Sequence, residues 1–377
     1  MAGPPAKVRR ARRLPLLPAR IAYGYAICYK INSFLGVMKT EEFDYSLPGA
    51  LIAQHPAKER TTSRLLILDR RSGQIGHCRF AGIAEYLREG DLIVLNDTKV
   101  LPARLSAVKE TGGAVDILLV GKIDEKRWSC LAGGLRRTMQ KVRVRVGETP
   151  LDLEAEPGGG WTVELPEGGS AAELMAAYGR MPLPRYIRRQ KGAGRNGDDE
   201  RYQTVYARTE GSIAAPTAGL HFDEALLERI EAQGISVVKI TLHIGTGTFF
   251  LIKSAHVEDH AMHSERYFLS PGVLEAIGRT KKAGGRVIAV GTSVVRTLET
   301  ANARGNGALE GSTDLFIYPG YRFRVVDALV TNFHLPRSTP LMLVCAFAGK
   351  EAIEGAYREA VERGYRFYSY GDAMFIS

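Results

Sequence analysis

The chain has 377 residues, of which 45% are hydrophobic and 24% charged, and its formal net charge is +10. This composition is typical of a globular protein long enough for two domains, or for one large domain with an insertion. No apolar run reaches the roughly 18 residues that a membrane-spanning helix needs, so the sequence predicts no membrane contact. The four cysteines are scattered without a CxxC pair, which predicts ordinary thiols in a reducing, cytoplasmic compartment.

The positive charge is distributed unevenly along the chain. Residues 1–37 contain seven basic and no acidic residues, whereas 38–377 contains 44 basic against 41 acidic residues, a net charge of +3. A nucleic-acid-binding surface on the body must therefore be a local patch. We interpret 1–37 as a disordered extension that results from a start codon assigned upstream of Met38, with a targeting peptide as the alternative.

The first regular elements are predicted after Met38. The runs 64–69 (RLLILD) and 74–79 (QIGHCR) flank a turn and predict a β-hairpin. A short helix at about 80–87 precedes the strand 91–95 (DLIVL), whose unbroken apolar run predicts a buried position. In the polar stretch that follows, Asp97 could be a general base or a ligand acceptor, although spacing alone favours a capped turn.

Between 104 and 178 the texture changes to short alternating segments, separated by Gly and Pro, at 114–120, 127–131, 141–146, 151–156 and 161–165. This spacing predicts a small β-barrel or sandwich. Afterwards we predict helices at 222–233, 271–282, 293–302 and 351–363, strands at 235–243, 286–291, 314–318 and 327–330, and a strand-rich end at 365–376. The predicted fold class is α/β, with a mixed α/β main domain built from 38–103 and 179–377 and an inserted small antiparallel β-barrel domain at 104–178.

Two segments of the second α/β piece could cradle a ligand. APTAGLHF, at 215–222, is rich in small residues, and the helix predicted from about 222 would present free N–H groups to an anion beside His221. A histidine there is otherwise most often a cap or a surface residue. VGTSVVR, at 290–296, predicts a strand, a turn at Gly291–Ser293 and a helix, with a plain N-cap as the alternative.

Two further segments are rich in charge. HVEDHAMHSE, at 256–265, has a spacing that permits a zinc site, but a polar turn that contacts the substrate is favoured. MPLPRYIRRQKGAGRNGDDER, at 181–201, is the strongest local basic patch of the body. It predicts a phosphate or nucleic-acid contact, with a solvated loop as the alternative.

The stretch 327–349, DALVTNFHLPRSTPLMLVCAFAG, places a polar cluster between two apolar elements. Its start predicts a buried strand, and the run after Ser338 or Thr339 predicts a helix. Thr331, Asn332 and His334 lie in the turn between them. Buried elements would fix these side chains and leave them free to meet a ligand.

Taken together, these motifs resemble one family. From Met38 to Ser377 the chain is similar to the S-adenosylmethionine:tRNA ribosyltransferase-isomerases of queuosine biosynthesis. The matching motifs are FDYSLP, LIAQHP with SRLL, NDTKVLPARL, GRMPLP with YI, RYQTVYA, APTAGLHF, HIGTGTF, MHSE, GTSVVRTLE, DLFIYPGYRF, VTNFHLPRST, LMLV with AFAG, and YSYGDAM. The chain departs from the family pattern at Arg185, at Leu251 and Ile252, at Pro340 and at Cys345.

The resemblance implies an α/β fold with an inserted β-barrel and a defined reaction. The ribosyl part of S-adenosylmethionine is transferred to the 7-aminomethyl-7-deazaguanine base in the tRNA anticodon and isomerised, which gives epoxyqueuosine-tRNA and releases adenine and methionine. S-adenosylmethionine is then a consumed co-substrate, and no metal or other cofactor is expected. The expected partner is tRNA that carries the precursor base, and the protein is expected to be a monomer.

This chemistry needs a base for the proton beside the sulfonium, an acid or hydrogen bond for the departing adenine, and a base for the attacking amine. We hypothesise that these groups are Asp97, His221, His243, Glu265 and His334. S-adenosylmethionine would be held by Thr217, Thr246, Thr248, Thr292 and Asn332. The tRNA would be contacted by Arg185, Arg188, Arg189 and Lys191.

Two alternative functions stay open at this point. The first is an S-adenosylmethionine-dependent tRNA methyltransferase, which would need a Gly-rich loop after the first strand that the sequence lacks. The second is a non-catalytic RNA-binding β-barrel protein. The barrel-like region lacks the aromatic stacking set that such a module needs.

Overall fold

A computed structural model describes residues 37–377 apart from 137, 158, 190–196, 246, 248–251 and 306–307. The described residues from 37 to 377 belong to one compact unit. The extension at 1–36 lies outside the described residues, so its disorder stays a prediction. Within the described part of the chain, no helix is both long and apolar enough to cross a membrane.

The strands of the described residues, in chain order, are β1 (Arg64–Leu68), β2 (Ile75–Arg79), β3 (Leu92–Asn96), β4 (Thr98–Val100), β5 (Arg104–Lys109), β6 (Ala114–Lys122), β7 (Arg127–Gly133), β8 (Lys141–Val146), β9 (Thr149–Ala155), β10 (Trp161–Glu164), β11 (Thr209–Ser212), β12 (Ser236–Leu242), β13 (Glu265–Phe268), β14 (Val287–Val290), β15 (Glu310–Thr313), β16 (Ala328–Asn332) and β17 (Ala373–Ile376). The α-helices are α1 (Ala171–Tyr178), α2 (Asp198–Arg201), α3 (Glu224–Ala232), α4 (Pro271–Lys282), α5 (Thr292–Ala303), α6 (Thr339–Ala348) and α7 (Lys350–Glu362). Short 3-10 helices cover Thr40–Phe43, Gly49–Leu51, Arg60–Thr62, Phe80–Tyr86 and Thr217–His221.

The main sheet has nine strands in the order β15-β13-β12-β3-β14-β16-β17-β1-β2. At its centre, β12, β3, β14 and β16 run parallel to one another. The pairs β12–β13, β13–β15, β16–β17 and β1–β2 are antiparallel, while β17 runs parallel to β1. The carboxyl ends of the four central strands therefore meet at one edge of the sheet.

The central strands alternate their side chains between two hydrophobic cores. Leu92 and Val94 of β3 face a core shared with α4, α5, α6 and α7. Ile93 and Leu95 face a second core, which β3 shares with α3 and the 3-10 helix Phe80–Tyr86. All five residues of β3 are buried, as an unbroken apolar run predicts for a strand covered on both faces.

Six strands, in the order β10-β7-β6-β5-β8-β9, close into an antiparallel barrel. Alternate residues of each strand point inward, and Leu105, Ile117, Val144 and Val163 are among those that fill the interior. The register of β6 against β7 shifts between Leu119 and Gly121, and a bulge of this kind adds the twist that barrel closure needs. The predicted α/β fold with a small antiparallel β-barrel is thus confirmed.

The two ends of the barrel segment meet where it joins the main body. The backbone N–H of Arg104 donates to the carbonyl of Arg180 at 3.1 Å, and Arg180 donates back to Arg104 at 2.9 Å. At Gly179 a Cβ atom would lie only 2.1 Å from the carbonyl oxygen of Pro102, so this crossing needs glycine. The paired ends support an insertion, while the domain boundaries given above stay a prediction.

Most predicted elements are confirmed with small shifts at their ends, including the first hairpin, β3, β14 and helices α4 to α7. The strand predicted at 314–318 is wrong, because the strand β15 ends at Thr313 and pairs with β13. The apolar residues Leu315–Ile317 instead line a cavity without joining the sheet. The terminal segment is a strand only at Ala373–Ile376.

Candidate active site

A cavity opens at the carboxyl edge of the central strands. Its walls come from the segments that follow β14 and β16, from 214–218, and from Phe316 and Tyr368. Ligands of open α/β sheets bind in this position, because successive loops diverge there and leave a crevice. The predicted role of the polar segments at 290–296 and 327–349 agrees with this location.

The start of α5 forms one wall of the cavity. Gly291 has a φ of +93°, which disfavours residues with a Cβ atom, and it turns the chain from β14 into the helix. Its N–H donates to Val330 at 2.8 Å, which ties the turn to β16. No side chain of the described residues caps this helix start. The predicted ligands Thr217 and Thr292 both line the cavity and are partly exposed.

His334 lies in the turn after β16 and lines the cavity. Its Nε2 is 2.7 Å from the hydroxyl of Thr331, and its backbone N–H donates to the Tyr357 hydroxyl at 2.9 Å. The Tyr45 hydroxyl donates to the His334 carbonyl. Burial lowers the pKa of His334 to about 3, so its ring is neutral at pH 7 and the protonated form is disfavoured.

Asn332 lies at the end of β16 and is buried. Its Nδ2 donates to the Tyr368 carbonyl at 3.2 Å and is 3.1 Å from Nε2 of His221. His221 is therefore placed behind the cavity wall, and it is not among the residues that line the cavity in the described part of the chain. Burial lowers the pKa of His221 to about 4.

Glu265 and Arg296 form a buried ion pair beside the cavity, with side chains 3% and 7% exposed. The guanidinium also donates to the carbonyls of Leu315 at 2.9 Å and Thr313 at 3.1 Å. The other carboxylate oxygen of Glu265 accepts from the N–H of Gly245 at 2.9 Å. Because both carboxylate oxygens are hydrogen-bonded, Glu265 stabilises the cavity wall. Its role as an acid–base group stays a prediction.

Asp97 and His243 lie in a neighbouring group that we call the strand-end cluster, composed of Asp97, Thr98, Thr241 and His243. The Thr241 hydroxyl donates to Asp97 at 2.6 Å, and the Thr98 hydroxyl is 2.9 Å from Nδ1 of His243. Burial, helped by the nearby Arg266, lowers the pKa of His243. None of these four residues lines the cavity of the described residues.

We call Glu265, Arg296, Asn332 and His334 the cavity cluster.

The anion site predicted at the start of α3 is wrong. The helix begins at Glu224, and the carboxylate of Asp223 already accepts from the N–H of Leu226 at 2.8 Å. His221 belongs to the separate 3-10 helix before it. The predicted ligands Thr246 and Thr248 lie outside the described residues.

The predicted basic patch divides into two kinds of arginine. Arg185 and Arg188 are exposed. Arg189 forms a two-bonded pair with Asp198, with both distances 2.8 Å, and also donates to the carbonyl of Gln54 at 2.9 Å. Lys191 lies outside the described residues. Arg185 and Arg188 are thus available to a phosphate, whereas Arg189 holds the loop in place.

The histidines of the segment 256–265 contact different partners. His256 pairs with Asp259 at 3.4 Å, and His260 packs edge-on against Phe316. Among the described residues, no group of three or more His, Cys, Asp or Glu side chains could hold a metal ion. The zinc alternative therefore has no ligand set in this part of the chain.

Three residues around the cavity were not predicted. Arg296 follows Thr292 by four positions, so helical spacing could have placed both on one face of α5. Ser63, which contacts His221, carries no local signal. Tyr368 lines the cavity with a φ of +71°, a conformation that only the tertiary contacts impose.

Of the departures from the family pattern, Pro340 lies in the first turn of α6, where proline is tolerated, and Cys345 is buried.

A family model described as "Queuosine biosynthesis protein" matches residues 40–376. The chain belongs to this family. The S-adenosylmethionine:tRNA ribosyltransferase-isomerase of Pelobacter propionicus is 52% identical over 345 residues, which cover 90% of this chain and all of that protein. The protein of the same name from Geobacter sulfurreducens is 50% identical with the same coverage.

A solved structure agrees with the family assignment. The crystal structure of the S-adenosylmethionine tRNA ribosyltransferase from Thermotoga maritima matches with a TM-score of 0.51 and 36% identity, over 89% of this chain and 100% of that chain. The resemblance inferred from the motifs is therefore confirmed.

Proposed function

We propose that this protein is an S-adenosylmethionine:tRNA ribosyltransferase-isomerase. It transfers and isomerises the ribosyl group of S-adenosylmethionine onto the 7-aminomethyl-7-deazaguanine base of a tRNA anticodon, and it releases adenine and methionine. The observation that carries this proposal is the cavity at the carboxyl edge of the sheet, lined by polar family motifs, in a chain that aligns with ribosyltransferase-isomerases over their whole length.

Groups on the cavity wall support this proposal. His334 lines the cavity and is assigned the transfer of a proton, either from the ribose carbon beside the sulfonium or from the attacking amine. Thr217 and Thr292 present hydroxyl groups to the bound co-substrate. Asp97, His221, His243 and Glu265 remain acid–base candidates, of which Glu265 alone shares the cavity with His334.

The tRNA approaches through the exposed arginines Arg185 and Arg188. Both follow Pro184, which lines the cavity, so a bound phosphate backbone would pass close to the cavity mouth. The protein acts as a cytoplasmic monomer on this proposal. S-adenosylmethionine is consumed, and no metal takes part.

Product analysis tests the proposal directly. Incubation with S-adenosylmethionine and tRNA carrying the precursor base should release adenine and methionine in amounts equal to the base modified. Release of S-adenosylhomocysteine would identify a methyltransferase instead. Binding of the tRNA without any product would identify a non-catalytic RNA-binding protein.

A further inference from the structure

The side-chain oxygen of Asn332 differs from the other polar atoms of the cavity wall. Asn332 is only 3% exposed and lines the cavity, yet its Oδ1 has no hydrogen-bond partner within the described residues. Leaving a buried acceptor unpaired costs about 1–3 kcal/mol. Because Asn332 belongs to the cavity wall, this acceptor is the atom of the wall that a hydrogen-bond donor of a ligand would satisfy.

The orientation of the amide is fixed by its partners. Nδ2 lies 3.2 Å from the carbonyl oxygen of Tyr368, which can only accept a hydrogen bond. Turning the amide over would bring its oxygen against this carbonyl oxygen. The nitrogen is therefore held by the protein, and the oxygen remains for a ligand.

His221 fixes the same orientation from the other side. Its Nε2 is 3.1 Å from Nδ2 of Asn332 and must accept, so the ring proton is on Nδ1. That nitrogen donates to Oγ of Ser63 at 2.7 Å, and the Ser63 hydroxyl donates to the carbonyl of Arg60 at 3.2 Å. Phe80 stacks on the ring at 5.0 Å. These contacts define one tautomer of a neutral imidazole.

The backbone of Tyr368, which accepts from the Asn332 amide, has an unusual conformation. Its φ of +71° is a left-handed conformation that costs a non-glycine residue about 1–3 kcal/mol. The conformation is held by its N–H, which donates to Phe333 at 3.1 Å, and by its carbonyl, which accepts from Gly371 at 2.9 Å. The same carbonyl accepts from the Asn332 amide at 3.2 Å.

We infer that Oδ1 of Asn332 accepts a hydrogen bond from the 6-amino group of the adenine of S-adenosylmethionine, and that His221 is a positioning residue that holds this amide in place. The inference rests on the proposed function. It assigns the base end of the co-substrate to the wall formed by Asn332 and Tyr368.

The chemistry of the wall favours a neutral donor over an ammonium group. Asn332 and His221 are both neutral, whereas an ammonium group would be held better by a carboxylate. The carboxylate of this wall, Glu265, is already bonded to Arg296 and to the N–H of Gly245. The rings of Phe316 and Tyr368 line the same cavity and offer apolar surface to a flat purine.

A substrate analogue tests the assignment. The analogue is S-adenosylmethionine whose adenine is replaced by purine, which lacks the 6-amino group. With precursor tRNA, the kcat/KM of the wild-type protein should be about tenfold or more higher for S-adenosylmethionine than for the analogue. The reason is that the analogue leaves Oδ1 of Asn332 unpaired. Asn332→Ala should use the two co-substrates equally, within about twofold.

Thr300→Ala is the matched control. Thr300 is a buried polar residue that bonds the Thr313 hydroxyl at 2.6 Å and does not line the cavity. Its loss should leave the preference for the amino group unchanged. A wild-type protein without that preference, or an Asn332→Ala variant that keeps it, contradicts the inference alone. A wild-type protein that releases no adenine from S-adenosylmethionine contradicts the proposed function and the inference with it.

The role of His221 has a readout that does not depend on activity. In ¹⁵N-histidine-labelled wild-type protein at pH 7, the His221 signal should be that of a neutral ring with its proton on Nδ1. Asn332→Asp should raise the pKa of His221, because a carboxylate beside Nε2 stabilises the imidazolium. A wild-type ring with the proton on Nε2, or one that is charged at pH 7, contradicts the positioning role.

Discussion

The cavity cluster and the strand-end cluster occupy neighbouring positions at the same edge of the same sheet, but they differ in what they leave unpaired. In the strand-end cluster, the hydroxyls of Thr241 and Thr98 contact Oδ1 of Asp97 and Nδ1 of His243. In the cavity cluster, Oδ1 of Asn332 is buried and has no hydrogen-bond partner among the described residues. Polar residues after a buried strand therefore indicate the carboxyl edge of the sheet. Only their hydrogen-bond partners distinguish residues that face a ligand from residues that hold the structure together.

The ion pair of the cavity cluster gives the largest expected effect. Arg296→Met should lower the free energy of unfolding by about 3–5 kcal/mol, because it leaves the Glu265 carboxylate buried without its counter-charge. Arg143→Met is the control, since Arg143 and its partner Asp152 are 59% and 55% exposed and such pairs contribute about 0–1 kcal/mol. Urea unfolding measures both. Equal losses would show that the cavity pair is not buried as described.

The pH dependence of stability separates His221 from His243. Because the pKa of His221 is about 4 in the folded chain and 6.5 in the unfolded chain, the unfolded chain binds the proton first as the pH falls. The neutral His221 ring therefore contributes about 3 kcal/mol to the free energy of unfolding. This contribution is complete above pH 6.5 and is lost as the pH falls toward 4. Unfolding free energies measured from pH 7 to 4 should therefore fall less in His221→Gln than in the wild type.

His243 is partly exposed, so the same substitution there should change the pH slope less. Slopes that are the same for wild type and His221→Gln would mean that His221 is not held neutral by its surroundings.

The rate of ribosyl transfer shows which of the two clusters carries the acid–base chemistry. His334→Ala should lower single-turnover ribosyl transfer by roughly a hundredfold or more, because it removes the acid–base group that we assign to the cavity. Asp97→Asn keeps the shape of the strand-end cluster and should cost less than His334→Ala. If the Asp97 variant is the slower of the two, the acid–base chemistry belongs to the strand-end cluster.

The smallest expected effect concerns tRNA binding. Changing both Arg185 and Arg188 to Gln should weaken tRNA binding and reduce the salt slope of log K by about 1–2, since each phosphate contact releases counterions. Arg189→Gln should instead lower stability, because this residue pairs with Asp198. Binding measured from low to moderate salt tests this. An unchanged slope in the double variant would remove these arginines from the interface.

Much of the fold was predictable because its signals are local. The unbroken apolar run of β3 predicted a buried central strand, and the short alternating segments after 104 predicted the barrel. The strand predicted at 314–318 failed for a physical reason. Its apolar residues line the cavity, where Ile317 is buried and Leu315 and Phe316 are partly exposed. Apolar residues in such a wall leave the same sequence pattern as a strand.

The site was predictable at the level of segments and not at the level of contacts. The polar residues between two apolar elements predicted that the turn from Thr331 to His334 faces a ligand, and this turn lines the cavity. The pairing of Asn332 with His221 joins residues 111 positions apart, and the Ser63 contact spans 158 positions. No spacing rule reports such a contact, because it depends on how distant loops meet at the sheet edge.

A crystal structure with S-adenosylmethionine bound would show where the co-substrate lies. We expect the purine in the cavity, with its 6-amino nitrogen within about 3.2 Å of Oδ1 of Asn332. A purine seated against Asp97 and His243, with Oδ1 of Asn332 still unpaired, would contradict the assignment of the cavity as the co-substrate site.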